Sequence, residues 1–362
     1  MKKCLSLILT LVMVCSLASC GAKKDEPAAT PPTPVTDQSG TDTPVETRVL
    51  KVATQNLTTS VNYISYQAFS DNLYEKTNGR YKLEIYPNGE LGNEETCLQQ
   101  VLTGTLDMLP VSVGSLGNVV DEMNFFSFPF MFESYDAFVD FALNDDVRQE
   151  LYDAVKEQTG CQALGFGYAV GRGVGNSKRE VRTVDDLKGL KIRTLGNPII
   201  IDTYNAFGAV ATSVPFKEVY TALSQNMIDG EDSTVSSNLD QRFCEINKHF
   251  TILNSTFQTA CMLVSPAVWD SISPEDQAIF IECGREMDEY GFELCQEHVQ
   301  NEIERAHKEA PGFIIVNDLT PEEKDTFVQA AMPVWDKYIG DCGKDFFDWA
   351  YAIAQECNAQ NR

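Results

Sequence analysis

Histidine is nearly missing from this chain: 362 residues contain three, His249, His298 and His307. None belongs to an H-E-x-x-H pair, which excludes the common helical zinc site. No serine sits in a G-x-S-x-G elbow, so that route to an esterase or lipase is closed. The glycine-rich run GFGYAVGRGVG (165–175) lacks the G-x-G-x-x-G spacing and the following acid of a dinucleotide site. Its glycines are read as loop geometry. Positive charge is also short, with 28 Lys and Arg against 53 Asp and Glu, a formal charge of −25. Nucleic acid and anionic membrane surfaces are therefore excluded as partners, and an anionic ligand would need a local cationic pocket. The acids show no distinguishable catalytic pair, and a solvated face accounts for them. No metal or cofactor signature stands out, and no repeat, heptad array or membrane span follows the amino-terminal run.

Tight cysteine spacing is missing too. Beyond residue 20 stand Cys97, Cys161, Cys244, Cys261, Cys283, Cys295, Cys342 and Cys357. An even number in an exported chain invites disulfides. Most lie in apolar helical or strand settings, which favours buried free thiols.

What is present begins with an export signal. Lys2 and Lys3 precede a short apolar run, Leu5 to Leu17, too brief to span a bilayer. The run ends in Leu17-Ala18-Ser19-Cys20, which resembles the lipobox cut by bacterial lipoprotein signal peptidase. Residues 1–19 are expected to be a lipoprotein signal peptide and Cys20 the lipidation site. The alternative is a plain signal peptide with an accidental cysteine. Residues 20–47 carry almost no apolar side chains and five prolines after the cysteine, so they are expected to be a disordered tether. The protein would then work outside the cytoplasm, held to the cell membrane by lipid alone.

About 315 residues remain, more than one ordinary core needs, which suggests two domains. Strands are expected at 48–54, 80–87, 105–111, 161–169, around Arg193 and at 209–213. Helical periodicity covers 60–77, 93–103, 198–207 and 215–226. Strands alternating with helices point to parallel βαβ units and two α/β lobes. Ser273-Pro274-Glu275-Asp276 reads as a helix start. The helix should run to Glu309, roughly 36 residues or about 54 Å. Its apolar positions change register near residue 299, as expected of a helix that leaves one lobe for the other. Two helices broken at Gly291 are the alternative. The phenylalanines of NFFSFPFMF (124–132) are read as core.

Two arginines, Arg172 and Arg193, sit at the ends of apolar strands, where open α/β sheets bind ligands. A guanidinium fork matches the two oxygens of a carboxylate. A structural salt bridge to one of the many acids is the competing explanation for each.

The segments GRGVGNSKR (171–179), DDLKGLKIRTLGNP (185–198), FGAVATSVPFKEVYTALSQNMIDGED (207–232) and FCEINKHFTILNS (243–255) resemble the substrate-binding subunits of TRAP transporters, the tripartite ATP-independent carriers of organic acids. YPNGELGNEE (86–95), LTGTLDM (102–108) and FPFMF (128–132) extend the resemblance over about residues 48–340. It implies an α/β, two-lobed periplasmic-binding-protein-like fold, with a hinge and a long helix spanning both lobes. The expected boundaries are 48–169 plus 259–298 for lobe I and 170–258 plus 299–362 for lobe II.

The same resemblance implies that the chain is a receptor rather than an enzyme, taking a small organic-acid anion such as a dicarboxylate, uronate or hydroxy-acid. It would deliver that anion to the small and large TRAP membrane subunits. Arg193 aligns with the arginine that clamps the substrate carboxylate and Arg172 with a second cationic contact. Phe216 aligns with the aromatic under the ligand, and Gln55 with a polar contact from the opposite lobe. Tyr168 and Asn197 fall beside the cleft, and Ser112 is expected to reach the ligand on closure. Ser233 stands where the family usually has Asn, Ser255 where it usually has His and Glu180 where it often has Pro. Ser112 and Ser115 replace the charged contacts of sialic-acid binders, which argues against sialate. A membrane-anchored sensor and a lipid-anchored hydrolase are the alternatives.

Overall fold

In the strand Arg48–Ala53, Leu50 and Val52 are buried while Val49 and Lys51 face solvent, the period-two pattern of a half-buried strand. It pairs in parallel with Tyr81–Tyr86 on one side and Met108–Ser112 on the other. The helix Val61–Lys76 makes the first crossover. Ser60 caps its start by accepting from the Tyr63 N–H, and Asn78-Gly79, both at positive φ, turn the chain after it. Ala260–Val264 joins antiparallel to Met108–Ser112, and Gln162–Ala163 closes the edge. The result is a five-stranded sheet. A six-stranded sheet follows in the order Ile314–Val316, His249–Thr251, Gly173–Asn176, Gly230–Ser233, Lys191–Thr194 and Val210–Ser213.

The computed structural model describes residues 46–362, and Val45–Arg362 forms one compact unit. The signal peptide, Cys20 and nearly all of the expected tether lie outside the described residues. Two lobes arise because the chain passes between the sheets through the short antiparallel pair Val170–Gly171 and Phe257–Gln258.

The helix Pro274–Glu309 runs unbroken through Gly291. Its first half buries Phe280, Cys283 and Met287 against Tyr66, Phe69 and Leu73 of the first lobe. Ala306, near its end, packs with Val235, Leu239 and Phe250 of the second. Between them the helix lies hard against residues 164–168. A Cβ on Gly284 would collide with the Leu164 carbonyl, and one on Gly291 with the Gly167 carbonyl. These glycines serve close approach rather than a break. On the same face, buried Asp288 accepts from the Gly167 N–H at 2.6 Å and pairs with Arg148 at 2.7 Å. This crowding corrects the strand expected over 161–169. Only Gln162–Ala163 is strand, because Gly167 at φ +71° bends the chain beneath the helix.

The glycines of 171–175 are also not loop geometry. They lie in strands, and a Cβ on Gly171, Gly173 or Gly175 would strike Asn254, the Thr251 carbonyl or Glu231.

The carboxyl-terminal boundary of lobe II needs correction as well. Pro321–Tyr338 packs Phe327 and Ala331 into the second lobe, but Lys344–Gln360 returns to the first. Phe347 of that last helix stands 5.6 Å from the Phe125 ring and 5.0 Å from Phe128. The phenylalanines of 124–132 are thus largely core, and the last helix seals them from water. The eight cysteines stand as free thiols, seven of them buried.

Candidate functional site

Arg193 occupies the third position of the strand Lys191–Thr194 and is 3 % exposed. Its Nε donates to the Val214 carbonyl at 2.8 Å. Its Cζ lies 5.8 Å from the centroid of the Phe216 ring, which Phe243 holds edge-on. Pro215, at φ −52°, fixes the entry to the turn that carries Phe216. The two terminal nitrogens of Arg193 have no hydrogen bond to a described residue, and the side chain lines the cleft between the lobes. Burial, and then the nearby charge of Arg172, lower its pKa to about 10, so it stays cationic at neutral pH. The fork is thus buried and charged with donors still to be satisfied, the arrangement that two carboxylate oxygens can match.

Arg172 differs. Its Nε donates to both Asp232 carboxylate oxygens, at 3.1 and 3.0 Å, and Nη2 donates to Asp232 Oδ2 and to the Asp232 carbonyl. Nη1 donates to Gln258 Oε1 at 2.9 Å. Of five N–H groups one remains. Arg172 lines the cleft with its charge paired to Asp232 and one donor left over, so it is held far more tightly by the protein than Arg193 is. The salt-bridge explanation holds for it because the neighbouring strand carries Asp232 opposite Val174, two residues along from Arg172 and so diagonal to it.

Gln55, Ser112, Tyr168, Phe216 and Ser233 all border the same cleft, which encloses about 740 Å³ including its open mouth. Gln55 Nε2 donates to the Gly92 carbonyl at 3.0 Å, leaving its amide oxygen unused in that bond. The Tyr168 hydroxyl accepts from Gln258 Nε2. Ser233 is buried, and its hydroxyl makes no hydrogen bond to a described residue. Ser112 is engaged, its hydroxyl donating to Glu94 Oε2 at 2.8 Å. Asn197 does not border the cleft, which corrects its place in the site. It is fully buried, caps the helix Pro198–Ala206 and ties Gly114 and Asn124 to the second lobe.

Glu94, Gln258 and Asp232 are cleft residues that sequence reasoning did not single out. Glu94 and Asp232 lay within stretches quoted for their resemblance. What marks them is a partner far along the chain, Ser112 for Glu94 and Arg172 for Gln258 and Asp232, which local spacing does not reveal. Lys217 Nζ, next in sequence to Phe216, donates to the Gly89 carbonyl at 2.8 Å, a contact between the two lobes. Among the described residues no three His, Cys, Asp or Glu side chains cluster as a metal site, and no helix is long and apolar enough to cross a membrane.

The model of the bacterial extracellular solute-binding proteins, family 7, matches residues 52–341. A solute-binding protein of Verminephrobacter eiseniae (strain EF01-2) is 31 % identical over 294 residues, covering 80 % of this chain and 85 % of its own. The 2,3-diketo-L-gulonate-binding periplasmic protein YiaO of Escherichia coli (strain K12) is 31 % identical over 264 residues, 72 % of this chain and 78 % of its own. The crystal structure of a TRAP periplasmic solute-binding protein from Polaromonas sp. JS666, bound to D-erythronate, superposes with a TM-score of 0.79 at 26 % identity. That match covers 85 % of this chain and 99 % of the other.

Proposed function

We propose a function from one premise: this chain belongs to family 7 of the bacterial extracellular solute-binding proteins. Such proteins are extracytoplasmic receptors of TRAP transporters, and the chain is a receptor rather than an enzyme. Its ligand is a small organic acid whose carboxylate docks on the two idle nitrogens of Arg193. That buried, half-unpartnered guanidinium in an interlobe cleft is the observation that carries the reading. Phe216 steers the fork from below and offers its face to the ligand's carbon skeleton. Gln55, Tyr168 and Ser233 supply polar contacts, while Arg172 with Asp232 forms a rigid wall. The printed ligands of the relatives, diketogulonate and erythronate, are sugar-derived acids of this kind.

The ligand then acts as a wedge in a two-state hinge. Strands 170–171 and 257–258 flex, and the acid stabilises the closed form because only there do both lobes touch it. The closed form, with Lys217 bridging to Gly89, is the one that would present itself to the membrane subunits. The test is thermal shift against a library of organic acids, with the acid quantified afterwards. One or more acids should raise the melting temperature and be recovered unconsumed. Arg193→Ala should remove the shift while leaving the melting of the free protein nearly unchanged. A variant that still responds to the same acid would overturn the assignment.

The tether and lipid anchor complete the reading, with Cys20 as the attachment point. Cys20→Ala should move the protein from the membrane fraction to the soluble extracytoplasmic fraction, and unchanged membrane association would refute it.

A further inference from the structure

The cleft is lined by two cations, Arg172 and Arg193, and by three carboxylates, Glu94, Glu95 and Asp232. Asp232 neutralises Arg172. Glu95 is exposed at the mouth. Glu94 is left as the partly buried carboxylate that shares the cavity with Arg193, near enough for its charge to favour the guanidinium's protonated form.

Glu94 cannot easily swing away. Its Oε1 accepts from the Ser112 N–H at 2.8 Å, and its Oε2 accepts from the hydroxyls of Ser112 and Ser115 at 2.8 and 2.7 Å. A carboxylate offers about four lone-pair sites. Three are taken, and one on Oε1 remains for a donor.

A second chamber adjoins the first, the two sharing Asn56, Tyr168, Ser237 and Gln258 as lining. Its charged side chain, Asp240, is paired with Arg305 at 2.7 Å, and burial biases its histidine, His298, towards the neutral ring. Among the lining residues of both chambers, Arg193 is the one cation without a carboxylate hydrogen-bonded to it.

We infer that the cleft selects a monocarboxylate with an uncharged, hydroxyl-bearing tail, and that Glu94 is the specificity-determining residue that rejects a second carboxylate. The inference rests on the organic-acid reading above. A distal hydroxyl can donate to the spare site on Glu94 and to the neutral amides and hydroxyls beyond it. A distal carboxylate would meet Glu94 as a like charge in a partly buried cleft, with no unpaired cation to receive it.

The test is calorimetric titration of the purified protein with matched aldonates and aldarates of four to six carbons, which differ only in the second carboxylate. An aldonate should bind, with its aldarate weaker by roughly tenfold or more. Glu94→Gln, which keeps the size and one acceptor, should narrow that gap. Aldarates or succinate binding the unaltered protein as tightly as the monocarboxylates would overturn the inference while leaving the organic-acid reading intact. So would a gap unchanged in a folded Glu94→Gln protein, or tighter binding of an amino acid than of any hydroxy-acid. If no acid of either class binds, and Arg193→Ala behaves as the unaltered protein does, the organic-acid reading itself fails.

Discussion

Arg172 and Arg193 show how two identical residues come to different ends. Both follow apolar strand residues and both are almost fully buried. Arg172 meets a carboxylate on the adjacent strand, whereas Arg193 meets a backbone carbonyl and an aromatic face, so that its fork is oriented but not neutralised. The stability consequences are opposite in kind. Arg172→Ala strands Asp232 in the interior, where removing one partner of a buried pair costs about 3–5 kcal/mol. The denaturation midpoint of that variant should fall markedly. An Arg172→Ala protein as stable as the parent would show that the pair is not fully desolvated. Arg193→Ala, by contrast, deletes a buried charge with no carboxylate on it and should cost little. The candidate site was thus legible as a pair of arginines. Which of them is idle was not, because the answer depends on Asp232, sixty positions further along the chain.

At the scale of elements, glycine sets how closely the pieces approach. The long helix carries Gly284 and Gly291 two turns apart, both facing the chain that leads to the hinge. Helix propensity alone would make Gly291→Ala stabilising by about 1 kcal/mol. The Gly167 carbonyl occupies the space a methyl would need, and overpacking of this kind costs roughly 1–3 kcal/mol. Gly291→Ala should therefore be net destabilising in urea unfolding, while Gly312→Ala, with nothing within 4 Å, should be nearly neutral. A stabilised Gly291→Ala protein would mean that the helix stands off from the hinge. Most strands and helices could be read from period and caps, and the 36-residue helix from Ser273 onward among them. The expected strand over 161–169 failed because alternating hydrophobicity cannot register a helix pressing on the segment from another part of the chain.

Taken as a whole, the molecule buries carboxylates as well as displaying them. Burial raises Glu231 to about 7 against an ordinary 4.5, even though the amides of Asn238 and Asn247 donate to it. Burial likewise raises Glu302 to about 7, and Asp288 to about 6 beside Arg148. A folded-state pKa above the unfolded one means the folded protein holds protons the unfolded chain has released. The stability this confers is full below about pH 4.5 and is lost as pH rises through about 7. Denaturation midpoints should therefore be higher at pH 5.5 than at pH 8, and Glu231→Gln should flatten part of that slope. Identical slopes in parent and variant would place the effect elsewhere, in the general repulsion of a chain with a formal charge of −25.

The sequence by itself determined the class of molecule: two α/β lobes, a long helix, an acidic exterior and an arginine at a strand end. Those properties follow from local period, caps and charge count, which act between near neighbours in the chain. Only the tertiary structure decided which arginine keeps free donors, that Glu94 shares its cavity, that Asn197 is a fastener and that the last helix returns to lobe I. Each of these depends on which distant side chain fills the adjoining space, since hydrogen bonding and packing saturate a group according to what lies beside it, wherever that neighbour falls in the chain.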